Sequence, residues 1–241
     1  MNKIFKSKLH FGVVYFTILL IDVIVKNISE VFLFRIVTKS SLLLALFILV
    51  LNHNSEQKKR NMFYLKSALM FFWVGDMLML FDDNMAVYFL AIFFFLIGKL
   101  FYVLRLSTKK DFSMNRLVPY VFFGVAFIFM VYYLIYNGLC KSCFFLILLY
   151  FFAALLVFLF ALIRKNAVTR ISYRLVLLGV VFSFFSDTIT ALSSFSEVSV
   201  PFSESLIMVF YGLFQFFIVV GILEDKNVCI FNKNCKSWSK I

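Results

Sequence analysis

Residues 143–163 read CFFLILLYFFAALLVFLFALI. No charge interrupts them, and Tyr150 carries their one hydroxyl. A helix rises about 1.5 Å per residue, so this stretch covers roughly the 30 Å hydrocarbon core of a bilayer. With no polar face to turn to water, it reads as a membrane-spanning helix rather than the amphipathic helix of a soluble domain. Working outward, similar runs recur at about 9–25, 36–52, 62–81, 86–104, 117–136, 172–193 and 203–223. The expectation is an all-α, polytopic membrane protein of about eight transmembrane helices. It forms a single domain over 1–241, with short basic tails at 1–8 and 224–241. The second span is the weakest, because Arg35 and Lys39 lie near its start and its clean core is only Leu42–Leu51. Seven helices with a re-entrant piece are the alternative count. The N-terminus, basic and then apolar, has the outline of a signal peptide. It lacks a small-x-small cleavage site and is read as a retained first helix.

Composition agrees. The chain is 63% hydrophobic and 15% charged, with a mean hydropathy of +1.00. A soluble domain of this size has no means of hiding so much apolar surface. The net charge of +12 sits in short clusters at the ends of apolar runs. That distribution follows the positive-inside rule and argues against nucleic acid as a partner. Of 24 basic residues, 19 fall at 3–8, 58–66, 105–116, 164–174 and 226–240. The opposite third and seventh loops hold only acids, namely Asp82 and Asp83, then Glu197 and Glu204. Both termini are therefore expected in the cytoplasm, which an even helix count requires. The lysine- and phenylalanine-rich composition points to a bacterial inner membrane. Inverted repeats and matched Gly/Pro breaks, the usual pointers to a transport site, are not evident.

Ionisable residues inside spans are costly, at about 2.5–3.5 kcal/mol for a mid-bilayer charge on insertion scales, and so mark candidate sites. Two aspartates stand out. Asp76 interrupts FFWVGDMLML (71–80) about five residues from the outer end of span three, and Asp187 lies about six residues from the outer end of span seven. Both fall roughly 8–9 Å below the outer boundary, in one layer. Gly179, Ser183, Asp187, Thr190 and Ser194 share a small, polar helical face. Glu204, Met208, Tyr211 and Gln215 share another in span eight, and Tyr88, Phe95, Lys99 and Tyr102 a third in span four. Tyr150 falls at a similar depth. Each has a plainer reading. Serine, threonine and glycine stripes are ordinary glue between membrane helices, and tyrosines pack or sit at interfaces. Lys99 is a cation available to pair with an acid, but it lies deeper than either. Snorkelling toward the cytoplasm is the competing expectation for it. Asp22 and Lys39, near the outer boundary, read as interfacial anchors.

No metal or other cofactor is expected. His10 and His53 lie at cytoplasmic ends of spans, and Cys140 and Cys143 fall across the membrane from Cys229 and Cys235. An outer-side Cys140–Cys143 disulfide is one reading of that pair, and two plain cysteines the other. No G-x-S-x-G, P-loop or dinucleotide fingerprint occurs.

The ordered set of motifs resembles the YhhN family of membrane proteins, over about Lys39 to Gly221. Its pieces are the GD of VGDMLML (Gly75, Asp76), FLIGKLFYV in span four and Tyr150. LLGVVFSFFSDTITAL (Gly179, Ser186, Asp187) and YGLFQFFIVVG (Tyr211, Gln215) complete it. The chain departs from the family pattern at Lys99, where many members carry histidine, and at Ser40, where proline often follows the lysine. The resemblance implies a lysoplasmalogenase, whose partners are a lipid substrate and the bilayer. Such an enzyme hydrolyses the vinyl-ether bond of a lysoplasmalogen to a fatty aldehyde and glycerophospho-ethanolamine or -choline. A vinyl ether must be protonated on carbon, and an acid that does so near neutral pH must hold its proton there, which desolvation favours. A second, ionised carboxylate stabilises the cation and activates water. Asp76 and Asp187 are the candidate catalytic pair. Lys39, Lys99, Tyr150, Ser183, Tyr211 and Gln215 are candidates for binding substrate or supporting the pair. Acid pairs serve equally in a proton-coupled lipid or small-molecule transporter, the main alternative, and a non-catalytic lipid-binding protein is a third.

Overall fold

In hydrocarbon an unpaired peptide group has no water to bond, so long apolar runs without proline satisfy their backbone internally as helix. The computed structural model describes residues 8–28, 32–53, 59–81, 84–107, 120–122, 124–127, 129, 133, 141–195 and 201–225. These carry seven long helices: α1 (Lys8–Ile28), α2 (Phe32–Asn52), α3 (Lys59–Leu78), α4 (Met85–Leu106), α5 (Lys141–Leu162), α6 (Arg170–Phe195) and α7 (Ser203–Leu223). A 3-10 turn, Met79–Phe81, extends α3. The described residues contain no strand. Six helices, α2 to α7, are long and apolar enough to cross a membrane, and the chain is an integral membrane protein. The expected span at 117–136 lies largely outside the described residues, although 120–122 and 124–127 are helical. The expected tails fall mostly outside them too, at 1–7 and 226–241.

The helices pack through a spine of fully enclosed aliphatic side chains that includes Leu46, Leu65, Ile218 and Ile222. Outward-facing positions are equally apolar: Phe63, Phe145, Phe152 and Ile171 are all exposed. A coat of that kind suits lipid and not water. Among the described residues, α6 and α7 make the most extensive helix contact. A Cβ at Gly179 would lie 2.9 Å from the Ile218 amide nitrogen, and one at Gly221 2.9 Å from that of Val176. Two glycines therefore let these backbones touch, as small residues do between membrane helices.

One end of the bundle collects the end of α1, the start of α2, the end of α3 and the start of α7. The opposite end is sealed by ions. Arg105 and Arg164 each donate to Asp225 Oδ2 at 3.3 Å, and all three side chains are buried. Burial pushes the Arg164 guanidinium down to about 10 while Asp225 pulls it back up, so it stays charged at neutral pH. Both arginines belong to the basic clusters at span ends, and they turn inward because Asp225, just past α7, gives them a buried anion. Ser172 closes the same end by donating to the Gly221 carbonyl at 2.6 Å.

Candidate active site

Asp187 sits two turns before the end of α6, on the face that α4 and α5 cover. Its Oδ2 takes the Lys99 ammonium at 2.5 Å and a hydrogen bond from the Ser183 hydroxyl at 3.2 Å. Its Oδ1 accepts from the Tyr150 hydroxyl at 2.6 Å. Lys99 also donates to Ser183 Oγ at 3.0 Å and lies 4.6 Å from the centre of the Tyr150 ring. Two hydroxyl donors and a cation thus converge on one carboxyl group.

Asp76 is dressed differently. It is only 2% exposed. Its Oδ2 accepts one hydrogen bond, from the Tyr211 hydroxyl at 2.9 Å, and the Lys39 ammonium stands 3.9 Å from Oδ1. Gly75, beside it, lets α4 approach α3, since a Cβ there would come within 2.6 Å of the Phe95 ring. Phe72, Phe95 and Phe214 pack edge and face around the Tyr211 ring and fix its direction.

Both aspartates line one cavity of about 110 Å³, walled otherwise by side chains such as Phe72, Ile92, Phe95 and Phe151. That volume admits several water-sized groups. Lys39, Tyr150 and Tyr211 line it as well. An apolar chamber holding two carboxyl groups with unlike donors can give a proton at one and steady a cation at the other. Among the described residues no three His, Cys, Asp or Glu side chains gather as a metal site would require.

The structure therefore brings Asp76, Asp187, Lys39, Tyr150 and Tyr211 to one chamber. Ser183 and Lys99 stand behind Asp187 rather than on the cavity wall. Gln215 is set aside: its Oε1 accepts from Tyr102 at 2.6 Å, and its buried Nε2 has no hydrogen-bond partner. Two expectations need correction. Lys99 does not snorkel; it is 2% exposed, because Asp187 offers it an anion within the bundle. Asp22 is not an exposed anchor; it is 4% exposed, because the end of α1 turns this side chain toward α2 and α7. Tyr88 and Thr190 also line the chamber. Their places on the polar faces of α4 and α6 are the signal that could have marked them, with Tyr88 bonded to Ser194 at 3.0 Å.

No curated protein and no solved structure matches the chain. The model of the YhhN family matches residues 34–222, well over half of the chain and inclusive of every side chain on the cavity wall. On that match, the chain belongs to the YhhN family.

Proposed function

We infer that the protein is a membrane-embedded hydrolase that cleaves the vinyl-ether bond of lysoplasmalogens. The products are a fatty aldehyde and a glycerophospho-ethanolamine or -choline. One observation carries this reading: two aspartates with unlike donor sets open on one apolar chamber. Asp76, with a single hydroxyl donor, is the acid. It gives its proton to the second carbon of the alkenyl chain, leaving an oxocarbenium ion shared by the first carbon and the ether oxygen. Asp187, paired with Lys99 and bonded by Tyr150 and Ser183, is the carboxylate that faces that developing cation. Water adds to the first carbon and its proton returns to Asp76. The hemiacetal then loses the glyceryl oxygen as an alcohol and leaves the aldehyde. One water is consumed, and the proton balance closes within the pair. A positioned acid of this kind contributes about 10²–10⁴-fold to rate. The apolar walls suit the alkenyl chain, and Lys39 stands where a polar head would enter. The protein acts in this reading as one domain of eight spans, in a bacterial inner membrane, with both tails cytoplasmic.

Purified protein incubated with lysoplasmenylethanolamine tests it. Aldehyde and glycerophosphoethanolamine are expected in equal amounts, with the saturated alkyl-ether analogue left intact because it has no double bond to protonate. Absence of aldehyde from any vinyl-ether lysolipid, whatever its head group, would overturn the reading.

A further inference from the structure

A second, smaller cavity adjoins the first and differs in character. Its volume is about 20 Å³ and its wall includes Asp22, Lys26, Arg35 and Lys39, with Leu80 and Met208. Lys39 and Met208 line both cavities, so these two side chains stand between them. This wall lies at the end of the bundle where α1 finishes and α2 begins, the end toward which Asp76 is placed.

The charges are only partly matched among themselves. Lys26 pairs with Glu204 at 3.2 Å, and Glu204 is largely exposed. Lys39 reaches toward Asp76 at 3.9 Å. Arg35 lies on the same wall and makes no ion pair among the described residues. Asp22 is buried, and its Oδ2 has no hydrogen-bond partner. A buried carboxylate oxygen without a donor is expensive, and Asp22 lines this cavity beside three cations.

We propose that this cavity receives the phosphoethanolamine head group of the lipid whose chain lies in the larger chamber. The phosphate rests at the junction, against Lys39 and Arg35, where a guanidinium can take two of its oxygens. The terminal ammonium enters the small cavity and donates to Asp22 Oδ2. A space of about 20 Å³ holds one water-sized group. A primary ammonium is of that size and carries protons to donate, whereas a trimethylammonium is larger and carries none. The site therefore selects ethanolamine over choline. The lipid assignment rests on the hydrolase reading, but head-group binding can be read without turnover.

The test uses the full chain in detergent and three uncleavable ligands of equal chain length. These are a saturated 1-O-alkyl lysophosphoethanolamine, its phosphocholine counterpart and the 1-O-alkylglycerol. Binding is measured by native mass spectrometry. The phosphoethanolamine form is expected to bind about ten-fold tighter than the phosphocholine form, and the alkylglycerol weakest. Arg35→Gln should lower affinity for both phospholipids about ten-fold without changing that for alkylglycerol. Asp22→Asn should remove the difference between ethanolamine and choline. Equal binding of all three ligands by the unaltered protein would overturn the proposal whether or not hydrolysis occurs. So would a preference that survives both substitutions. Selective binding without aldehyde release would leave this site standing and remove the hydrolase reading instead.

Discussion

The ammonium of Lys99 and the carboxylate of Asp187 meet at 2.5 Å with almost no access to solvent at the lysine. Removing one partner of such a pair strands the other charge, which typically costs about 3–5 kcal/mol, whereas replacing both by apolar groups is often neutral. Lys99→Met should accordingly lower the melting temperature in detergent sharply and abolish hydrolysis. Adding Asp187→Leu should restore most of the thermal stability and none of the activity. That split separates the structural from the chemical use of Asp187. Tyr211→Phe removes the one hydroxyl donor to Asp76. It should reduce turnover by roughly 3–10-fold, the worth of a single hydrogen bond, with stability little changed. The two aspartates were legible in the sequence because an acid inside an apolar run has few cheap explanations. The partners were less so. Lys99 lies at a different depth from Asp187 along its own helix, and only the reach of a long side chain closes the gap. Tyr102 and Gln215 bond across two spans, a pairing that no spacing within one span encodes.

At the level of helices, the α6–α7 seam depends on Gly179 and Gly221. A methyl group at either position would meet backbone as well as a side chain, and the backbone cannot swing away. Gly179→Ala should destabilise the protein by about 1–3 kcal/mol and, by moving Asp187 relative to Tyr211, depress activity. Gly124→Ala is the control, since a Cβ there meets nothing within 4 Å. Thermal unfolding of the two variants side by side checks this. Helix positions were readable because a bilayer demands a fixed apolar length and leaves no other backbone solution. Even the weak second span forms a full helix, Phe32–Asn52. Its charges at Arg35 and Lys39 line the polar cavity and need not break it. Which glycines act as helix contacts could not be read, because that depends on what lies across the interface: Gly12, Gly75, Gly98 and Gly212 face side chains, and among the described glycines only Gly179 and Gly221 meet backbone.

Across the whole molecule, the polar groups sort by end. Asp22, Lys26, Arg35 and Lys39 gather at one end, while Arg105, Arg164 and Asp225 lock the other. The cavity that holds both aspartates lies near the first, with the second closed. A lipid substrate would then enter from the outer leaflet if both tails are cytoplasmic. In intact cells, an impermeant thiol reagent should label Cys140 or Cys143 and spare Cys229 and Cys235, and membrane disruption should expose the latter pair. Labelling of the tail cysteines in intact cells would reverse the orientation. Charge counting along the chain gave this expectation, but it could not show that Arg105 and Arg164 are buried on Asp225, since a tally of loop charges is blind to a buried counter-ion. The paired aspartates are the core of the proposed mechanism, and one comparison reaches them directly. Aldehyde release from lysoplasmenylethanolamine is measured for the unaltered protein, Asp76→Asn and Asp187→Asn, each shown to be folded and monodisperse in detergent. Both substitutions should lower the rate by about 10²-fold or more. A rate near that of the unaltered protein in either variant would contradict a mechanism that needs both carboxyl groups.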